Sequence, residues 1–258
     1  MKNNKIKIIM TGEKYMEHAR DSIDLNWEQQ EPLFRQINEV GVQSYFENLP
    51  QIEQAFQLRD RGLRCIDERT PGGLHMAGSG ILDQERAVKL VPEAQIDGIY
   101  SHEGCGAAAF FAKQAGLDVL QADNYGIEWA KKLAAETGVP YVDHRKVDKP
   151  FHYARVAYYD GTGRFNTDSV EGLPPGFVIS RRFLDAQSAL NELGIVRSIA
   201  LGDHGFGLKF TPESPLLVVA VGDKNPSGNT SEKLLVEISE LLKQSGKRVA
   251  GYGFTAPV

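Results

Sequence analysis

The sequence predicts an α/β fold: a mixed, largely parallel central sheet flanked by helices, with an N-terminal helical arm. Three observations predict it. From residue 63 onward, short apolar runs of strand length alternate with helix-like segments. Residues 13 to 57 are polar, with large apolar residues recurring at helical spacing from Leu33 onward. The composition, 41% apolar and 24% charged over 258 residues, is that of an ordinary globular chain long enough to bury a large core.

The elements follow in order. In the arm, Leu33, Phe34, Ile37, Val40, Tyr45, Phe46, Leu49, Ile52 and Phe56 suggest two helices, with Pro32 opening the second segment. Their simplest role is packing. Leu63 to Ile66 and Ile96 to Tyr100 read as buried strands. Gly104 to Gly116 reads as a helix, and so does Asp123 to Gly138, with Asp123 as its cap and Gly138 as its stop. Further strands are expected at Val139 to Val142, Arg155 to Tyr159, Phe177 to Ile179, Ser198 to Leu201 and Leu216 to Val221. Asp160-Gly161-Thr162-Gly163 is a turn signal that suits an antiparallel hairpin. Helices are expected at Leu184 to Leu193 and Ser231 to Gln244. In the last, Leu234, Leu235, Ile238, Leu241 and Leu242 form one apolar stripe. No internal repeat, long linker or domain boundary is visible. Residues 1–258 are therefore expected to form one α/β domain, with 1–60 as the arm and 61–258 as the core and its extension.

Charge and apolar content exclude several classes. The net charge of −5 gives no basic surface for nucleic acid or anionic membranes. No apolar run reaches the ~20 residues that a membrane helix needs. The start, Lys2 to Met10, is basic, but its apolar stretch is too short for a signal peptide. A cytoplasmic location is expected, where thiols stay reduced. The two cysteines, Cys65 and Cys105, exclude a disulfide-dense scaffold and a four-thiolate metal site. They leave one disulfide, two buried bystanders, or two thiolates in a mixed metal or catalytic site, and a reducing compartment disfavours the first.

Two segments carry candidate chemistry. One is Cys65-Ile66-Asp67-Glu68-Arg69, followed by Thr70-Pro71-Gly72-Gly73; the other is His102-Glu103-Gly104-Cys105-Gly106. Each follows an expected buried strand, and ligands bind beyond the carboxyl ends of parallel strands. Cys65, His102 and Cys105 together supply two thiolates and an imidazole, a donor set that suits Zn²⁺ and leaves a fourth position open. Cys105 would sit in the first turn of a helix, whose dipole favours its thiolate. Asp67 and Arg69 alternate with Cys65 along the chain, so all three would face one way in extended backbone. Arg69 would keep Asp67 ionised. Asp67 would then orient a metal-bound water, or swing onto the metal itself. Each cysteine could instead be a small buried hydrophobe, Asp67–Arg69 a structural ion pair, and His102 a satisfied core histidine.

Cys-x-Asp-x-Arg followed by His-x-x-Cys-Gly resembles the zinc signature of the β-class carbonic anhydrases. The segment Gly73-Leu74-His75-Met76-Ala77-Gly78-Ser79 is similar to their glycine-containing loop near the substrate pocket. The Pro-Gly-Gly at 71–73 and a looser pattern from Asp123 to Ile179 look more like the related cadmium-type (ζ) class. The resemblance spans roughly residues 63 to 115, as in a divergent member: Glu68 stands where the β class usually has a small residue. It implies Cys65, His102 and Cys105 as ligands of Zn²⁺ or cadmium, with Asp67 and Arg69 as the catalytic dyad. It implies reversible hydration of carbon dioxide to bicarbonate through a metal-bound hydroxide, and the possibility of a homo-oligomer. Gly73, His75, Ala77, Gly78 and His204 are the candidate pocket residues. Two alternatives stay beside this: the same site acting on carbonyl sulfide or carbon disulfide, and a non-catalytic zinc protein with Asp67 as the fourth ligand.

The remaining signals are weaker. Gly202 to Gly207, with His204, could supply a proton-shuttling histidine but reads first as a turn. His75 could face the pocket or pack. His144 and His152, among Arg145, Lys146 and Lys149, read as surface residues. Gly222 to Gly228 lacks the order of a phosphate loop. The expected partner is a small-molecule substrate, with no nucleic acid and no membrane.

Overall fold

In a computed structural model, residues 12–58 and 60–257 are described, with side chains from Ser22 onward. Their strands form two four-stranded sheets in which every pairing is parallel. The first contains β1 (Gly62–Arg64), β2 (Leu74–His75), β3 (Gly98–His102) and β4 (Tyr141–Arg145), in the order β2-β1-β3-β4. The second contains β5 (Val156–Asp160), β6 (Gly176–Ile179), β7 (Leu216–Gly222) and β8 (Val249–Thr255), in the order β6-β5-β7-β8. The helices are α1 (Gly12–Val40), α2 (Val42–Glu47), α3 (Gln84–Glu93), α4 (Gly106–Gln114), α5 (Ala122–Thr137), α6 (Ala186–Leu201) and α7 (Ser231–Gln244). None is long and apolar enough to cross a membrane.

Strand alternation places the core. On β5 and β7, Ala157, Tyr159, Leu216, Val218 and Ala220 face one cluster, which continues through Leu63 and Ile99 of the first sheet. Val156, Tyr158, Leu217, Val219 and Val221 face a second cluster with Phe34, Ile37, Phe46 and Phe56 of the arm. A strand buried on both faces needs apolar residues at every position, and β7 has them. The helical arm thus covers the second sheet.

Several local expectations need correction. Pro32 does not open a new helix; α1 runs through it. Proline removes one N–H and crowds the carbonyl a turn earlier. Here packing holds both sides: Trp27 stands edge-on to Phe206 and Phe210, and Phe34 and Ile37 are buried. Ser198 to Leu201 is no strand but the last turn of α6. Asp185 caps that helix by accepting from Ser188 N, and Ala189, Leu193, Val196 and Ala200 bury one face. The turn at Asp160 makes no hairpin. Its carboxylate folds inward onto the Thr162 and Gly163 N–H groups, and the chain returns to pair β6 in parallel. Asp123 does not cap α5; it accepts from Gly104 N beside the second motif.

Although no repeat is visible in the sequence, the topology repeats. Both sheets take their strands in the same relative order, with one helix before the third strand (α3, α6) and helix between the third and fourth (α4–α5, α7). The third strands end differently. β3 ends on His102, whereas β7 ends on Gly222, where a Cβ would lie 2.0 Å from Ser231 N at the start of α7. Backbone closes the carboxyl end of the second sheet at the place where the first carries a histidine. Gly222→Ala is expected to cost about 3 kcal/mol through overpacking against that backbone. Urea unfolding measures it, and wild-type stability in the variant would contradict the close approach.

Candidate metal centre

The first sheet's carboxyl edge assembles both motifs. β1 ends at Arg64, so Cys65 is the first residue beyond it; β3 ends on His102; and Cys105 is the residue that precedes α4. Parallel pairing of β1 with β3 brings the two strand ends side by side. Cys65, His102 and Cys105 are all buried, and one donor atom from each lies within 4.8 Å of the others. The sulfurs are 3.9 Å apart and unbridged. Two thiolates on a tetrahedral ion with metal–sulfur bonds of about 2.3 Å would stand at nearly that separation. His102 Nδ1 bonds the Glu103 carbonyl, which leaves Nε2 as the free donor. That Nε2 is buried and makes no hydrogen bond, with Asp67 Oδ2 as its ion-pair neighbour. An orphaned imidazole nitrogen facing two thiols fits a bound metal; the same residues could take zinc or cadmium.

The electrostatics agree. Hydrogen bonding between the sulfurs pushes Cys65 well up and Cys105 down, burial adds to the rise at Cys65, and the Ala107 and Ala108 N–H groups favour the Cys105 thiolate. Burial opposes a charged His102, but the charges on Cys65 and Asp67 outweigh it and raise its pKa to about 9.

Asp67 and Arg69 form a closed pair. Arg69 N and Nε donate to Asp67 Oδ1 at 2.9 and 2.8 Å, and its terminal nitrogen donates to Oδ2 at 2.6 Å. Burial works against the carboxylate, but Arg69 and the two nearby histidines hold it well below the usual carboxylate range. Asp67 Oδ2 lies 3.7 Å from His102 Nε2, next to the cluster.

His152 is buried, contrary to its expected surface position. Its Nδ1 meets Glu68 Oε2 at 3.0 Å and its Nε2 meets Arg69 at 3.4 Å, while Tyr153 N donates to the other Glu68 oxygen. Asp67, Glu68 and His152 also lie close enough to hold an ion. Their polar atoms are already paired with one another and with Arg69, unlike His102 Nε2. His144, half-buried, bonds Ser101 Oγ across β3 and β4.

The other candidates scatter. Gly78 N donates to Cys65 Sγ at 3.2 Å; its φ of +57° is left-handed, and a Cβ there would meet Ile81 at 2.6 Å. Ala77 N donates to Glu192 Oε1 at 2.8 Å. His75 is buried under the site with Nδ1 on the Cys65 carbonyl, and burial lowers its pKa to about 4. Gly73 is packed against the Gly62 carbonyl at the start of β1. His204 is exposed at the rim, where its carbonyl accepts from His152 N.

Two cavities adjoin the cluster. The inner one has room for about one water-sized molecule and is walled by Cys65, Ile66, Asp67, Ala107, Phe177, Ile195 and Ile199. The outer one, about 490 Å³, opens past Arg69, Cys105, Leu120, His152 and His204. His152, Gly106 and Ile199 line both.

Sequence reasoning missed Phe177, Ile195, Ile199, His152, Glu68 and Glu192. Only Glu192 left a signal: a lone acid on the apolar face of α6, between Ala189 and Val196. Burial raises its carboxyl to about 8. A raised pKa means the folded chain holds a proton that the unfolded chain has released, so this residue's share of stability is full below about pH 4.5 and is lost as pH rises through 8. Glu192→Gln is expected to flatten that loss, on the order of 4 kcal/mol at most, between pH 5 and 9. Melting curves at both pH values check it; an unchanged pH slope would contradict the raised pKa.

Compared with protein-family models, curated proteins and solved structures, the chain has no significant match.

Proposed function

We propose that this chain is a metal-dependent lyase that hydrates carbon dioxide to bicarbonate, with zinc or cadmium held by Cys65, His102 and Cys105. The observation that carries the reading is the orphaned His102 Nε2 facing two thiols, beside an aspartate paired to arginine through both oxygens. The ion, when bound, supplies the Lewis acidity that brings the pKa of a coordinated water toward neutrality. Every other contribution comes from the chain. Asp67, kept ionised by Arg69, is an acceptor only, so it can take a hydrogen bond from that water and aim its lone pair. Arg69 is held in turn by the Lys149 carbonyl and by His152. The apolar side chains of Ile66, Ala107, Phe177, Ile195 and Ile199 wall the inner cavity and keep bulk water from the cluster, and a small linear uncharged molecule would approach it from the outer cavity. His204, exposed at the outer cavity, is positioned to exchange protons with solvent.

The likeness of the two motifs to those of the β-class carbonic anhydrases supports the choice of substrate. The pairing of Asp67 with Arg69 supports an open fourth position, because ligation by Asp67 would break that pair. The test is metal analysis followed by stopped-flow hydration of carbon dioxide. Equimolar metal with a measurable second-order rate supports the proposal. Equimolar metal with turnover of carbonyl sulfide or carbon disulfide alone would change the substrate, and a metal-free chain would remove the centre altogether.

A further inference from the structure

Glu192 is a buried ionisable group that the proposed reaction does not use. It sits on α6 among buried Ala189, Leu193 and Val196. Its Oε1 accepts from Ala77 N at 2.8 Å, and its Oε2 is buried without a partner. A half-satisfied carboxyl costs stability relative to an apolar residue of similar size. Core packing therefore does not account for it, and its one bond does. Ala77 leads directly into the left-handed turn at Gly78, whose N–H donates to Cys65 Sγ. The bond from Glu192 thus pins the residue next to the one that touches the sulfur.

We propose that Glu192 is a positioning residue for the metal centre: by holding the Ala77 N–H it keeps the Gly78 N–H on the Cys65 sulfur, and so sets how much charge that sulfur gives the ion. This rests on Cys65 being a metal ligand and not on the identity of the substrate. An N–H···S bond withdraws charge from a thiolate. Losing it makes the sulfur more donating, which shifts its charge-transfer band, and frees its orientation, which costs affinity for the ion. Outer partners of this kind change metal affinity by about 10- to 100-fold. What Glu192 contributes is an acceptor, so glutamine can replace it and an apolar residue cannot.

The experiment compares cobalt(II)-loaded wild type, Glu192→Met and Glu192→Gln. In Glu192→Met the affinity for Co²⁺ is expected to fall about 10- to 100-fold, and the sulfur-to-cobalt charge-transfer band to move to lower energy. Glu192→Gln is expected to keep both at the wild-type values. A folded Glu192→Met chain with wild-type affinity and an unmoved band overturns the role of Glu192. So does a Glu192→Gln chain that shifts as the methionine variant does. If Glu192→Met does not fold, amide exchange decides: slow exchange at Ala77 and Gly78 in both wild type and Glu192→Gln supports the role, and fast exchange at Ala77 in wild type overturns it. A wild-type chain that takes up no metal overturns the metal centre itself, which is a separate failure from metal bound equally by every variant.

Discussion

Cys105→Ser is expected to strip the chain of its metal and to reduce hydration of carbon dioxide to the buffer rate. Cys105 contributes more than a donor atom. It stands at the N-terminus of α4, where the hydrogen bond from Cys65 and the Ala107 and Ala108 N–H groups lower its pKa and favour its thiolate. A serine hydroxyl stays neutral at that position and binds zinc poorly. Two ligands would remain, one of them the thiol that its environment pushes upward. The affinity should fall by about a hundredfold or more, beyond the loss expected from an outer partner. Metal content after dialysis measures it, and full retention of metal would mean that the ion sits elsewhere. Because the side chain is small and buried, the variant should stay folded, which circular dichroism would verify.

Asp67→Asn is expected to keep the metal and lose about 10²- to 10⁴-fold in kcat/KM, the range for losing a positioned proton-handling group. Asparagine has the same shape but presents an NH2 where the carboxylate accepts, and it cannot balance the Arg69 charge. Arg69 is nearly as buried as Asp67, so a cost of about 3 kcal/mol in stability should accompany the loss. The comparison also separates two roles. An orienting acceptor leaves metal content untouched when replaced. A fourth ligand does not, so loss of metal in Asp67→Asn would favour a closed, non-catalytic site.

Motif and period made part of this legible. The strands β1, β3, β5, β6 and β7 and the helices α4, α5 and α7 were readable because apolar runs and amphipathic stripes report burial directly. β2, at two residues, is too short to carry a pattern, and β8 is interrupted by Gly251 and Gly253. The run Ser198-Ile199-Ala200-Leu201 reads equally as strand or buried helix, and the cap at Asp185 decides for helix. The breaking power of Pro32 is local, and the packing of Trp27 and Phe34 on either side, which overrides it in α1, leaves no local pattern.

The sequence by itself determined the candidate donors and their order: two thiols and a histidine, each at or beside a strand end, with an acid and an arginine two residues apart. Those assignments need only local periodicity and chemistry, because strand ends in a parallel sheet converge by topology. Tertiary structure alone decided what surrounds the donors. β6 and α6 brace the site across the two sheets: Val178 N donates to the Ile66 carbonyl, His75 N to Ser180 Oγ, and Ala77 N to Glu192. The walls at Phe177, Ile195 and Ile199 and the burial of His152 come from the same half of the chain. These contacts join residues about a hundred positions apart, and no local pattern records which of two similar apolar faces will meet. The second sheet repeats the topology of the first, but Gly222 and the start of α7 fill the place where a histidine would stand, so it brings no matching donor and instead packs β6 and α6 against the candidate site of the first.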